Sequence, residues 1–350
     1  MKNILILGGG GYIGTEVTKL LLKKNNVTVY DCFYFPWLVK NRKRIKNNKR
    51  LNLIKKDILD INIKDFKNID IVCDFIGIAN DSSSDINKKY SNKINFSARY
   101  KAAQIAKKAN VKRYIFNSTC SIYGFNKNKV FENSLKNPLS TYAKSVYKAD
   151  NKIFNLKSNN FKVIVLRNAT LFGYSDTMRF DLVINKFTYL LTNKKKIKID
   201  GDGKQYRPFL SISDISKMYE NIIDNNLRSF CMNAVSFSLT IESITQKILK
   251  ILNKSSKLLE YNYANKDKRN YNVGSKIIEK DFKNFRFSNF SGTPVQVSIF
   301  DSYGRSVFEK TTAVNDNLLT LEDMPILPSA HYLVRLSGTN LNYFTTIIKI

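Results

Sequence analysis

The chain has 350 residues, 43% hydrophobic and 25% charged, enough for one large domain or two smaller ones with a sizeable core. Its net charge is +30, but the basic residues are scattered, with short runs at 41–50 and 194–198. No aromatic-interleaved basic groove goes with them, so nucleic acid is not the expected partner. No apolar run reaches the roughly 18 residues that would cross a membrane, and the four cysteines form no CxxC pair, which argues against a disulfide framework and a metal site.

In chain order, the start is one lysine followed by a strand-like run, without the layout of a secretory signal. A reducing, cytoplasmic setting is therefore expected. Residues 4–7 are apolar and expected as a buried parallel strand. They run into Gly8-Gly9-Gly10-Gly11-Tyr12-Ile13-Gly14, with a helix-like stretch to Lys24. Glycines at 8, 11 and 14 permit a tight turn, close approach to a pyrophosphate, and packing of helix on strand. The helix N-terminus then offers free N–H groups to the phosphates. A second strand at 27–30 ends in Asp31, placed to accept hydrogen bonds from an adenosine ribose. Its charge would repel a 2′-phosphate, so NAD is expected rather than NADP.

Further apolar runs at 51–54 and 69–76 read as strands, the second followed by Gly77, Ile78 and Ala79, where small residues let the chain pass close to a dinucleotide. Helix-like stretches at 90–110 and 144–158 each precede another strand, at 111–117 and 161–167. Strand and helix alternate, which argues for a doubly wound parallel sheet of Rossmann type.

Two stretches between these elements carry the chemistry. Residues 117–124 read NSTCSIYG and residues 140–150 read STYAKSVYKAD. With the glycine loop, they resemble an extended short-chain dehydrogenase/reductase, the NAD-dependent nucleotide-sugar epimerase/dehydratase family. The resemblance implies that Thr119, five residues before Gly124, bonds the substrate oxygen, with Ser118 beside it. It implies that Tyr142 is the general base, and it places Asp57 and Ile58 near the adenine. The family's Tyr-x-x-x-Lys pair is broken here, because the residue four after Tyr142 is Val146. A lysine at that spacing shares the tyrosine's helix face and lowers its pKa. Lys144 and Lys148 are rotated about 200° and 240° from Tyr142 and do not share that face. Cys120 and Ser121 stand where the 4,6-dehydratases carry an Asp-Glu pair, which favours epimerase or simple dehydrogenase chemistry.

The resemblance extends to a smaller substrate-binding lobe drawn mainly from 170–200 and 225–287. It implies substrate contacts from Thr170 and Asn185, and diphosphate contacts from Arg207 and Arg269, whose planar forks pair two oxygens at once. Asp214 is a candidate N-cap for the helix after 213. Val235 departs from the family's usual glycine. The implied partner is a nucleotide-diphosphate sugar, and the family allows a homodimer.

Composition shifts near 287–292. From Ser288 on there are four basic and five acidic residues, so the segment carries −1 and residues 1–287 carry +31. Strand-like runs at 295–300, 306–310, 318–321, 332–336 and 343–350, with a turn at 301–304, predict a small all-β, sandwich-like module over 291–350. It resembles a type IX secretion C-terminal sorting domain, although Ala330-His331 departs from that pattern. His331 is the only histidine, so histidine-based catalysis is not expected. The leading expectation is an NAD-dependent epimerase or dehydratase slowed by Val146. The alternatives are a non-catalytic dinucleotide-binding relative or scaffold, and a fusion whose β-module directs sorting or interaction.

Overall fold

A computed structural model describes residues 1–265 and 267–281, together with the backbone of four later strands within 294–349. The chain divides into two units, Met1–Phe285 and Arg286–Ile350.

In the first unit seven strands form one parallel sheet. They are β1 (Asn3–Leu7), β2 (Asn26–Asp31), β3 (Leu51–Lys55), β4 (Ile71–Asp74), β5 (Arg113–Thr119), β6 (Lys162–Asn168) and β10 (Phe230–Ala234), in the order β10-β6-β5-β4-β1-β2-β3. The connections run outward in both directions from β1 and β4, so the crevice where a ligand is expected opens at the carboxyl ends of these two strands. Ile4, Leu5, Ile6 and Leu7 are fully buried, as a strand covered by helices on both faces requires.

The expected helix at 90–110 is three segments in one column. Lys88–Asn92 is α-helical, Lys93–Ala98 is a π-turn, and Arg99–Lys108 is α-helical. The helix expected at 144–158 begins earlier, at Thr141, and ends at Phe154. Ser140 caps it, its hydroxyl accepting from the Ala143 N–H at 3.1 Å. One expectation is corrected. Asp214 does not cap the helix Ile212–Asp224; the Ser211 hydroxyl does, accepting from the Asp214 N–H at 3.0 Å.

The smaller lobe has two minor sheets. β7 (Thr170–Phe172), β9 (Tyr206–Ser211) and β11 (Phe237–Thr240) form one, and β8 (Ile197–Asp200) pairs with β12 (Leu259–Asn262) in the other. Phe187, Leu191, Ile197, Ile199 and Phe209 build its core with Ile244 and Ile248.

In the second unit β13 (Pro294–Phe300), β14 (Ser306–Ala313), β15 (Ala330–Gly338) and β16 (Leu341–Lys349) form an antiparallel sheet in the order β14-β13-β15-β16. The expected turn at 301–304, the strand at 318–321 and the junction at 287–292 lie outside the described residues. Among the described residues no helix is long and apolar enough to cross a membrane. None of them group three or more His, Cys, Asp or Glu side chains into a potential metal site.

Candidate active site

The glycine loop closes the end of β1 onto β4. Gly8 has φ +74, and a Cβ there would lie 2.9 Å from Ile76 N and Phe75 C. A Cβ on Gly14 would lie 2.5 Å from Gly9 Cα and 2.6 Å from Gly8 O. Gly11 is different, since its Cβ would meet only Gly8 O, at 3.6 Å. Gly11 opens the helix Tyr12–Leu21 and gives it no side-chain cap. That leaves a cradle at the helix N-terminus that suits a pyrophosphate.

Asp31 stands beside this loop. Its carboxylate accepts from Gly10 N–H at 2.9 Å and Phe33 N–H at 2.6 Å. Burial pushes its pKa up, and these two N–H groups work against that rise. Each oxygen keeps a lone pair for a ribose hydroxyl. Asp57 ends the same edge, its side chain accepting from Leu59 N–H at 2.9 Å, with Ile58 buried next to it.

The segment after β4 is held by a residue that sequence reading missed. Asn95, fully buried in the π-turn, accepts from Ile78 N–H at 2.8 Å and donates to Ile78 O at 3.3 Å. A Cβ on Gly77 would lie 3.1 Å from the Asn95 Oδ1. From the other side the Arg179 Nη2 donates to Ala79 O at 3.0 Å. Arg179 also forks onto Asp181, and Asn80 donates to Asp181 at 2.8 Å.

Thr119 ends β5, and its hydroxyl accepts from Ser121 N–H at 3.1 Å. Burial raises the Tyr142 phenol, while the nearby Arg99, Arg179 and the Thr119 hydroxyl pull it down. Val146, one helical turn on, is fully buried among Ile94, Ala98 and Ala149. The Lys148 ammonium sits over the Phe96 ring, 4.4 Å from its centre. Cys120 donates to Arg167 O at 3.0 Å, and burial raises its thiol far out of the range in which it ionises.

The remaining expected contacts divide into two sets. Arg207 and Arg269 come together on Asp267, at 2.5 and 2.8 Å. Arg207 is buried and also donates to the carbonyls of Tyr206 and Arg269. Arg269 reaches across to Asp81 at the start of helix Asp81–Ile86. Burial opposes the charge on Asp267, but the Arg269 and Arg207 guanidiniums hold its carboxyl below the usual range. Thr170 opens β7, opposite Phe209 of β9.

Three other side chains turn inward. The Ser118 hydroxyl donates to Asp150 at 2.9 Å, and Asp150 is paired with Arg167, both buried. Asn185 donates to Arg179 O at 3.0 Å and to the Tyr12 hydroxyl at 3.2 Å, and accepts from Gly173 N–H at 3.0 Å. The Tyr12 hydroxyl in turn donates to Gly173 O at 2.6 Å. These bonds dock the loop after β7 onto the first helix, while the Ile13 side chain stays partly exposed.

Residues 4–230 match the family model "NAD dependent epimerase/dehydratase family". An uncharacterized UDP-glucose epimerase of Bacillus subtilis is 29% identical over 224 residues, 61% of this chain and 70% of that protein. Human dTDP-D-glucose 4,6-dehydratase is 24% identical over 265 residues, 73% of this chain and 75% of that protein. Among solved structures, UDP-N-acetylglucosamine 4-epimerase from Methanobrevibacter ruminantium M1 aligns with a TM-score of 0.70 at 24% identity, over 80% of this chain and 91% of that one. A dTDP-glucose 4,6-dehydratase from Streptomyces venezuelae, solved with NAD, gives 0.72 at 20% identity, over 82% and 92%. At these identities the structural likeness concerns the fold.

Proposed function

The chain belongs to the NAD dependent epimerase/dehydratase family, and on that premise we propose that it epimerises a nucleotide-diphosphate sugar, slowly, with Tyr142 as base. NAD is the family's cofactor, and when bound it would supply reversible hydride transfer at a sugar carbon. The glycine loop and the N–H groups of the first helix hold its pyrophosphate, Asp31 its adenosine ribose, and the segment 77–79 lines its path. Thr119 holds the sugar oxygen while Tyr142 removes its proton. Arg269, oriented by Asp267 and Arg207, takes the diphosphate. The glycine loop at the end of β1, with Asp31 beside it accepting from Gly10 N–H at 2.9 Å, carries this reading.

Epimerisation is favoured over dehydration because Cys120 is buried against Arg167 O and Ser121 is neutral, so neither supplies the acid that water elimination needs. The full burial of Val146 favours a second reading, a relative that holds NAD without turnover.

The deciding experiment compares the native chain with Val146→Lys on UDP-, GDP- and dTDP-sugars, with NAD occupancy and melting followed in both. Expected are bound NAD in both, slow turnover of at least one sugar by the native chain, and faster turnover by the variant. Bound NAD without turnover in either would leave the non-catalytic reading. If neither binds NAD nor turns over a sugar, the whole reading fails.

A further inference from the structure

Residues 32–50 join β2 to β3. The crossover holds one short helix, Trp37–Lys40, and two single turns, Arg42–Arg44 and Asn48–Arg50. Phe33, Leu38 and Ile45 peg it to the domain, all three buried. Side chains tie it down further. Arg42 Nη2 donates to Leu51 O at 3.0 Å, Asn47 to Leu22 O at 3.3 Å, and Arg50 Nη1 to Lys23 O at 3.4 Å. The Lys19 ammonium stands over the Trp37 ring, 5.3 Å from its centre.

What this crossover leaves outward is apolar at its start and cationic after it. Tyr34 is 83% exposed, Phe35 57% and Val39 48%, and Pro36 between them is exposed too. Single exposed apolar residues are ordinary on a surface, but a run of them marks a contact site. Seven cations then fall between Lys40 and Arg50, every one of them exposed. No Asp or Glu occurs from residue 32 to residue 56. Among the described residues none of the seven cations enters an ion pair.

A partner for this surface must be negatively charged, extended, and able to take up apolar side chains. The surface of an anionic bilayer meets all three conditions. Tyrosine and tryptophan settle at its headgroup level, and lysines and arginines beside them are drawn to the negative leaflet. A segment that lies on the membrane needs no spanning helix. A nucleic acid matches the charge alone. Val39 and Pro36 offer no aromatic face for a base, and here the aromatics precede the cations instead of alternating with them along a groove.

We propose that residues 34–50 form a peripheral docking surface for an anionic phospholipid bilayer. Tyr34, Phe35 and Val39 enter the headgroup layer, and the cations from Lys40 to Arg50 face the lipid phosphates. The buried pegs Phe33, Leu38 and Ile45 hold the crossover in shape, so little ordering is left to the docking step. The proposal does not depend on whether the chain turns over a sugar.

The only tryptophan of the chain, Trp37, lies within this surface and reports on it. The full chain is titrated with phosphatidylcholine vesicles, with and without phosphatidylglycerol. Co-sedimentation and a blue shift of Trp37 emission are expected with the anionic vesicles only. Both should fade as salt rises from about 0.1 M to about 1 M. The triple variant Lys43→Gln, Lys46→Gln, Lys49→Gln should bind on the order of a hundredfold more weakly. The double variant Phe35→Ser, Val39→Ser should keep the salt dependence and lose the blue shift. All five positions are exposed, so melting should stay close to that of the native chain. Equal binding to both kinds of vesicle overturns the proposal, as does binding to neither. So does an unchanged affinity in the triple variant, or an unchanged blue shift in the double variant. Binding of a single-stranded RNA that anionic vesicles fail to displace assigns the surface to nucleic acid and overturns it as well. Should the triple variant not fold, the lipid preference and salt titration of the native chain decide with the double variant.

Discussion

A phenol that burial holds above its ordinary pKa is protonated at neutral pH, and that fixes the sign of the pH dependence. The base form of Tyr142 grows about tenfold per pH unit below its midpoint. Turnover of the native chain should therefore climb steadily from pH 7 to 9, and Val146→Lys should shift the climb to lower pH. A rate flat across that interval would remove Tyr142 from the role of base. Tyr142→Phe should cost about 10²–10⁴-fold in turnover with NAD occupancy unchanged. The glycine loop offers a paired comparison at the same scale. Gly14→Ala forces a Cβ to within 2.5 Å of backbone, and overpacking of this kind costs about 1–3 kcal/mol, seen as a lower melting temperature even without cofactor. Gly11→Ala meets only one atom, at 3.6 Å. It should melt normally and lose NAD affinity. Equal loss of stability in both would show that Gly11 is part of the packing rather than of the cradle.

Most of the elements were legible because buried parallel strands are short apolar runs, and β1 to β6 all fall on such runs. The loop glycines and Asp31 stand out through turn geometry, whereas Thr119 and Tyr142 stand out only through the family resemblance. Side-chain direction was not legible. Ser118 and Thr119 are neighbours, yet the Ser118 hydroxyl donates to the buried Asp150 while the Thr119 hydroxyl caps the next turn, accepting from Ser121 N–H. Asn95 falls in the stretch expected as a plain helix at 90–110, and nothing in the sequence announces a π-turn there. Ser211 and Asp214 are both capping types three residues apart, and only the backbone distinguishes cap from third position. Asp150 shows what such inward contacts hold together, because it joins the Thr141–Phe154 helix to β6 through Arg167 and to β5 through Ser118. Asp150→Ala would strand the buried guanidinium, at a cost of about 3–5 kcal/mol. Urea unfolding should show that loss, while Ser118→Ala, which leaves the ion pair intact, should lose far less. Similar losses in the two variants would mean that the pair contributes little beyond its hydrogen bond to Ser118.

For the molecule as a whole, the charge lies almost entirely in one part of the sequence, with +31 over residues 1–287 and −1 over the rest. Much of it is solvated lysine, such as Lys43, Lys46 and Lys49, all exposed. Such charges add little to stability but set a positive field that would draw the proposed ligand, a nucleotide diphosphate, before contact. The contacts themselves are different in kind. Arg207 and Arg269 share Asp267 at 2.5 and 2.8 Å, and Arg269 is further tied to Asp81, so on the proposed reading an incoming diphosphate would compete with internal carboxylates for Arg269. Field and contact therefore separate under salt, because the screening length falls from about 30 Å at 0.01 M to about 10 Å at 0.1 M. The association rate of a fluorescent nucleoside diphosphate should fall as salt rises, with its dissociation rate nearly constant. Asp81→Asn frees one partner of Arg269 and should slow dissociation, with little change in the salt slope of association. If salt instead moves dissociation and leaves association unchanged, the scattered lysines do not steer the ligand, and the excess charge plays no part in capture.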